Sequence, residues 1–171
     1  DRSTWYVADP RRKYHACCGY IHSPLDVVAA LRREGAPLAD AKEIRIGVTS
    51  LTVPAVSKSG PPISGNDARF HLEYCVALAA LSEDIILPEH SMDFAAQMAR
   101  PEVRAMMAKV RVVDDPEQKH YHHCAVTLVD AAGKVLARNE GRGPKGSPQN
   151  PMTDADMHDK FRRLTSFRLS P

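Results

Sequence analysis

Residues 121–140 read YHHCAVTLVDAAGKVLARNE. Tyr121 to Val129 follows the two-residue alternation of a half-buried strand. Gly133, in DAAGK, predicts a tight hairpin turn into a second strand over Lys134 to Glu140. Working upstream, KVRVV at Lys109 to Val113 predicts another strand. Ala41 to Val53 places Ile44, Ile46 and Val48 at alternate positions, so it predicts one more. Trp5-Tyr6-Val7 reads as a strand or an extended entry.

Between these runs the period changes to that of helices. Ser23-Pro24 predicts an N-cap followed by proline at the first helical position, with Leu25, Val28 and Leu31 as the apolar stripe and Gly35 as the stop. His22 then sits just before a helix N-terminus, where the partial charge is positive. Pro54 to Asn66 is rich in Pro, Gly and Ser and reads as a loop. Ala68 to Leu81 predicts a helix capped by Asn66 or Asp67 and buried around most of its circumference. Short helices are expected from Ser91 to about Ala99 and from Pro101 to about Lys109. Asp114 to Lys119 is a polar turn. GRGPKGSPQNP reads as a linker, and Thr153 with Asp156 resembles a capping box opening a last helix to about Thr165. Strands and helices mixed without regular βαβ repetition predict an α+β domain with a small antiparallel sheet packed with helices.

With 171 residues, 43% hydrophobic and 26% charged, the chain can bury a real core. A net charge of +2 with both signs interspersed argues against nucleic acid as a partner. No apolar run approaches the ~20 residues that span a bilayer, and no signal peptide is legible, so no membrane partner is expected. The four cysteines include no C-x-x-C pair, which predicts reduced, mostly buried thiols and a cytoplasmic location. The chain opens on Asp1 rather than Met, which predicts a segment of a longer protein.

Several clusters carry reactive groups. KHYHHC, Lys119 to Cys124, invites a metal reading, but a strand would turn His120, His122 and Cys124 to one face and His123 to the other. No spacing announces further ligands, so no metal site is expected. Cys17-Cys18 with His15 and His22 has the residue types of a thiol nucleophile and its base, yet reads more simply as packing. Lys13 with His22 reads either as a point charge and backbone donors for an anion, or as a solvated lysine and a structural histidine. Tyr74 lies on an apolar helix face, where a phenol is usually a core residue with one partner for its hydroxyl.

Three segments, in order, resemble the MmgE/PrpD family. KYHACCGYIHSPLDVVAAL, from Lys13, resembles its Lys-x-Tyr/Phe-Pro segment, with a Cys and a His before a helix. ARFHLEYCVALAAL, from Ala68, resembles its helix with Ser and Tyr three residues apart. GSPQNPMTDADMHDKFRRL, from Gly146, resembles its closing Asn-Pro-Met-Thr and Lys-Phe segment. His15 stands where proline is common, His71 where serine is common, and SEDI after Leu81 lacks the usual Asp-Gly. Family members include 2-methylcitrate dehydratase, cis-aconitate decarboxylase and iminodisuccinate epimerase.

The resemblance implies an α+β lid related in topology to chorismate mutase, over residues 1–141. Residues 142–171 would form a linker and a C-terminal helix belonging to a largely missing all-helical domain. It implies a lyase or isomerase that uses no metal or organic cofactor, acts on a small di- or tricarboxylate, and forms a homodimer. By motif, Lys13 and Tyr74 take the catalytic positions, and Lys13 with His22 the substrate-binding ones. The rival expectation is a stand-alone module that binds a small anion without chemistry.

Overall fold

The computed structural model describes residues 11–166, so the expected strand at Trp5 to Val7 lies outside it. β1 (Glu43–Val48) occupies an inner position of a four-stranded sheet, with β2 (Val110–Asp114) on one side and β3 (Cys124–Val129) on the other. β4 (Val135–Gly141) closes the far edge, giving the order β2-β1-β3-β4. The hairpin read from residues 121–140 is there. β3 and β4 pair antiparallel, with a bulge at Leu128/Val129 and Gly133 at φ +83° in the turn. β1 and β3 are also antiparallel, with Ile46 opposite Val126 and Ile44 opposite Leu128.

One pair departs from the expected antiparallel sheet. β1 and β2 run parallel, Ile46 beside Val112. A parallel pair needs a long crossover, and the chain supplies one in six short helices. These are α2 (Val53–Val56), α3 (Gly65–Arg69), α4 (Leu72–Leu81), α5 (Pro88–Met92), α6 (Phe94–Ala99) and α7 (Pro101–Met107). The result is an α+β fold with a mixed sheet.

α1 (His22–Arg33) packs on β3, β4 and α4, while α4 packs also on α7 and β2. Ile44, Ile46, Val126 and Leu128 face these helices and are buried, whereas Arg45, Arg111 and Arg138 are exposed. Every residue from His71 to Ala80 is buried, as the all-round apolar pattern predicts. The helix expected over Ala68 to Leu81 is nevertheless two helices. His71 is extended (φ −104°, ψ 97°), and its ring Nδ1 accepts from Tyr74 N, so it caps α4 after a break at Phe70. Ser64, rather than Asn66 or Asp67, caps α3.

The start of α1 also differs from its expected form. A 3₁₀ turn over Gly19–Ile21 runs straight into the helix, so Ser23 and Pro24 lie in the first turn. The Ser23 hydroxyl does not cap; it donates to the His122 carbonyl at 2.5 Å. α8 (Asp154–Thr165) keeps its expected capping box, Asp156 N donating to Thr153 Oγ1 and Thr153 N to Asp156 Oδ2. No described helix is long and apolar enough to cross a membrane.

Candidate functional site: a cationic cavity beside Lys13

The stretch from Arg12 to Cys18 is not regular structure, yet four other segments fix it. Arg12 N donates to Gly146 O at 2.9 Å, Ala16 N to Ile86 O at 2.7 Å, and Cys18 N to Arg69 O at 2.8 Å. His15 is 2% exposed and anchors the middle. Its Nδ1 accepts from Ile86 N at 3.1 Å, which leaves the proton on Nε2 for Asp26 Oδ1 at 3.0 Å. The second oxygen of Asp26 accepts from Lys145 N at 2.7 Å. One carboxylate therefore ties the Lys13 stretch to the Gly-Pro-Lys-Gly-Ser segment more than a hundred positions away.

Lys13 is exposed at the edge of this arrangement. Its Nζ donates to Cys17 O at 3.2 Å, and the backbone carbonyl of Lys13 accepts from Lys160 of α8. His22 is buried, with Nε2 3.4 Å from the same Cys17 oxygen. A carbonyl can only accept, so Nε2 carries hydrogen and Nδ1 keeps its lone pair. Burial, together with the His15 ring packed edge-on at 5.1 Å, holds the His22 pKa down to about 3. The imidazole is thus neutral near pH 7.

Lys13 and His22 line one cavity of about 200 Å³. Arg11, Arg12 and Lys145 also border it, and among the described residues no carboxylate side chain does. Two carboxylates hold lining residues or their neighbours, Asp26 through His15 and the Lys145 amide, Asp156 through the Lys145 ammonium. Arg11 stacks over Tyr121 at 5.5 Å and reaches His122 Nδ1 at 3.2 Å. That neighbouring guanidinium and, foremost, burial push the His122 pKa down to about 4. Such a pocket offers charge and hydrogen-bond donors to a small anion. Its volume is below the roughly 300–1,000 Å³ of sites for drug-sized ligands, as suits a small metabolite.

Tyr74 is not among the cavity's lining residues. It is 1% exposed in α4, and its hydroxyl donates to His90 O at 2.5 Å. Burial raises its pKa. The structure thus brings Lys13 and His22 together and sets Tyr74 in the core. The histidine cluster is corrected as well. Residues 120–123 form a turn, and β3 starts only at Cys124, so strand alternation does not apply to them. Among the described residues, no three His, Cys, Asp or Glu side chains converge as metal ligands. Sequence reasoning missed Arg11, Arg12, Lys145 and Asp26 as neighbours of this site. The run Arg11-Arg12-Lys13 was a visible signal; the contribution of Lys145, inside an expected linker, was not.

With this geometry in place, comparison with known proteins is decisive about kinship. The family model for the MmgE/PrpD C-terminal domain matches residues 15–171. The chain belongs to the MmgE/PrpD family. Two relatives, both cis-aconitate decarboxylases of Aspergillus terreus, one from strain NIH 2624 / FGSC A1156, are 26% identical over 175 aligned positions. Each alignment covers 97% of this chain but 34% of the relative, so the chain spans about a third of the length of the curated relatives it matches.

Proposed function

We propose that this chain is the lid part of an MmgE/PrpD-type lyase acting, without metal or organic cofactor, on a small di- or tricarboxylate. The observation that carries the reading is the cavity in which Lys13 and His22 stand beside Arg11, Arg12 and Lys145. In such a substrate, carboxylates acidify the neighbouring carbon, and fixed cations stabilise the negative charge that develops when its bond to hydrogen or to carbon dioxide is made or broken. Lys13 supplies that charge. Neutral His22 presents the Nδ1 lone pair to a donor on the substrate. The motif gives Tyr74 a proton-transfer role, for which its hydroxyl must exchange the His90 carbonyl for substrate. Met157, Phe161 and Leu164, exposed on α8, are suited to packing on the helical domain of the same protein. Dehydration, decarboxylation and epimerisation share this first requirement. The cis-aconitate decarboxylases among the relatives make decarboxylation of a tricarboxylate the first reaction to assay.

The test is a screen of small polycarboxylates on the intact protein, following loss or gain of the conjugated double bond in the ultraviolet. Turnover of at least one supports the reading; no turnover of any sinks it. The rival reading is a binding module that holds a small anion without chemistry. Binding without turnover would select that reading.

A further inference from the structure

Ser147 is 3% exposed, and its hydroxyl oxygen has no hydrogen-bond partner among the described residues. It is also one of the residues that line the Lys13 cavity. A buried hydroxyl that meets no protein partner is costly to desolvate, and a polar ligand atom reaching it from the cavity would offset that cost. We propose that Ser147 is a ligand-contacting residue of this cavity, its hydroxyl donating to a carboxylate oxygen of a small polycarboxylate whose charge Lys13 and Arg12 balance. The inference rests on the proposed function and adds to it a residue from the segment read as a linker.

The segment is built to hold that hydroxyl still. Gly146 N donates to Asn150 O at 2.8 Å, Asn150 N to Ser147 O at 3.0 Å, and Ser147 N to Pro144 O at 2.9 Å. Gly146 O accepts from Arg12 N at 2.9 Å, and Asp26 holds Lys145 N at 2.7 Å. All of these use the backbone and leave the Ser147 side chain out. Gly146 adopts φ +90°, and a Cβ there would lie 1.9 Å from Arg12 O, so only glycine lets the segment approach the Arg12 backbone this closely. Gly143 keeps space beside the hydroxyl, since a Cβ at that position would lie 3.0 Å from the Ser147 Oγ. A serine hydroxyl both donates and accepts. In a cavity walled by cations the donor role toward a carboxylate is the one without a competing acceptor.

The experiment is calorimetric titration of the intact protein with citrate and with tricarballylate, for wild type, Ser147→Ala and Lys13→Ala, each first checked for an unchanged melting temperature. Should Ser147→Ala misfold, Gly143→Ala serves instead, because its methyl group displaces the same hydroxyl. Loss of about tenfold or more in affinity in the serine variant, with a comparable or larger loss in Lys13→Ala, is the expected result, as for a hydrogen bond to a charged group. Affinity within twofold of wild type in the serine variant, with Lys13→Ala weakened, overturns the role of Ser147 and leaves the proposed function standing. If wild type binds neither probe, the inference falls, while the turnover screen still decides the proposed function.

Discussion

Lys13 and His22 meet on one atom. The Cys17 carbonyl oxygen accepts from Lys13 Nζ at 3.2 Å and lies 3.4 Å from His22 Nε2. A flexible cation and a buried neutral ring are thereby referenced to the same backbone point, which the Ala16 and Cys18 amides in turn fix to Ile86 and Arg69. Preorganised donors of this kind lose little on binding an anion.

The histidines give stability a pH dependence of known sign. His22 has its folded pKa lowered to about 3, and His122 to about 4, from an unfolded value near 6.5. Between these limits the unfolded chain binds more protons than the folded one, so stability falls as pH drops below about 6.5. Glu73 and Glu83, whose pKa values are lowered, add losses only below the ordinary glutamate range, so the histidines dominate from pH 6.5 to 5. Urea unfolding at those two pH values should show the decline, and His22→Gln should flatten it. An equal slope in that variant would show that His22 is not buried as described.

Gly146 tests the anchoring of the Lys145 segment. Gly146→Ala forces either the left-handed backbone on alanine or a retreat from Arg12 O, so it should cost about 1–3 kcal/mol. A fall in melting temperature measures this. Anion affinity should weaken as well, because the same segment borders the cavity.

Tyr74→Phe keeps the ring and removes the hydroxyl from a fully buried site, leaving the His90 carbonyl without that donor. A stability loss of about 1 kcal/mol is expected from the hydrogen bond alone. In the intact protein, turnover lowered by tenfold or more would assign the phenol a chemical role. Turnover within twofold would leave it a core residue.

Much of the fold was legible because its signals are local. The β3–β4 hairpin follows from alternation and one glycine, and α8 from Thr153 and Asp156. The buried circumference of α4 follows from its apolar run. The parallel pairing of β2 with β1 was not legible, because KVRVV says strand without saying which neighbour or direction. The split at Phe70 turns on the extended backbone of His71, whose ring acts as a cap in place of the usual hydroxyl or carboxylate. The candidate site was legible only as far as Lys13 and His22, which stand in one short stretch. Its other wall comes from Lys145 and Ser147, brought across by Asp26 and Gly146. No local pattern encodes a contact at that separation. Composition made the segment look like a tether, whereas hydrogen bonds make it part of the wall.

The most direct test of the central claim is the turnover of cis-aconitate, or of whichever polycarboxylate the screen selects, by the intact protein with Lys13 replaced. Lys13 is exposed, so Lys13→Ala should leave the melting temperature unchanged. Loss of a charge-assisted hydrogen bond of roughly 1.5–3 kcal/mol should lower kcat/KM about ten- to hundredfold, and Lys13→Arg should not restore it, because a planar fork does not replace a compact ammonium. A kcat/KM within twofold of wild type in Lys13→Ala would contradict the account and return Lys13 to the solvated surface.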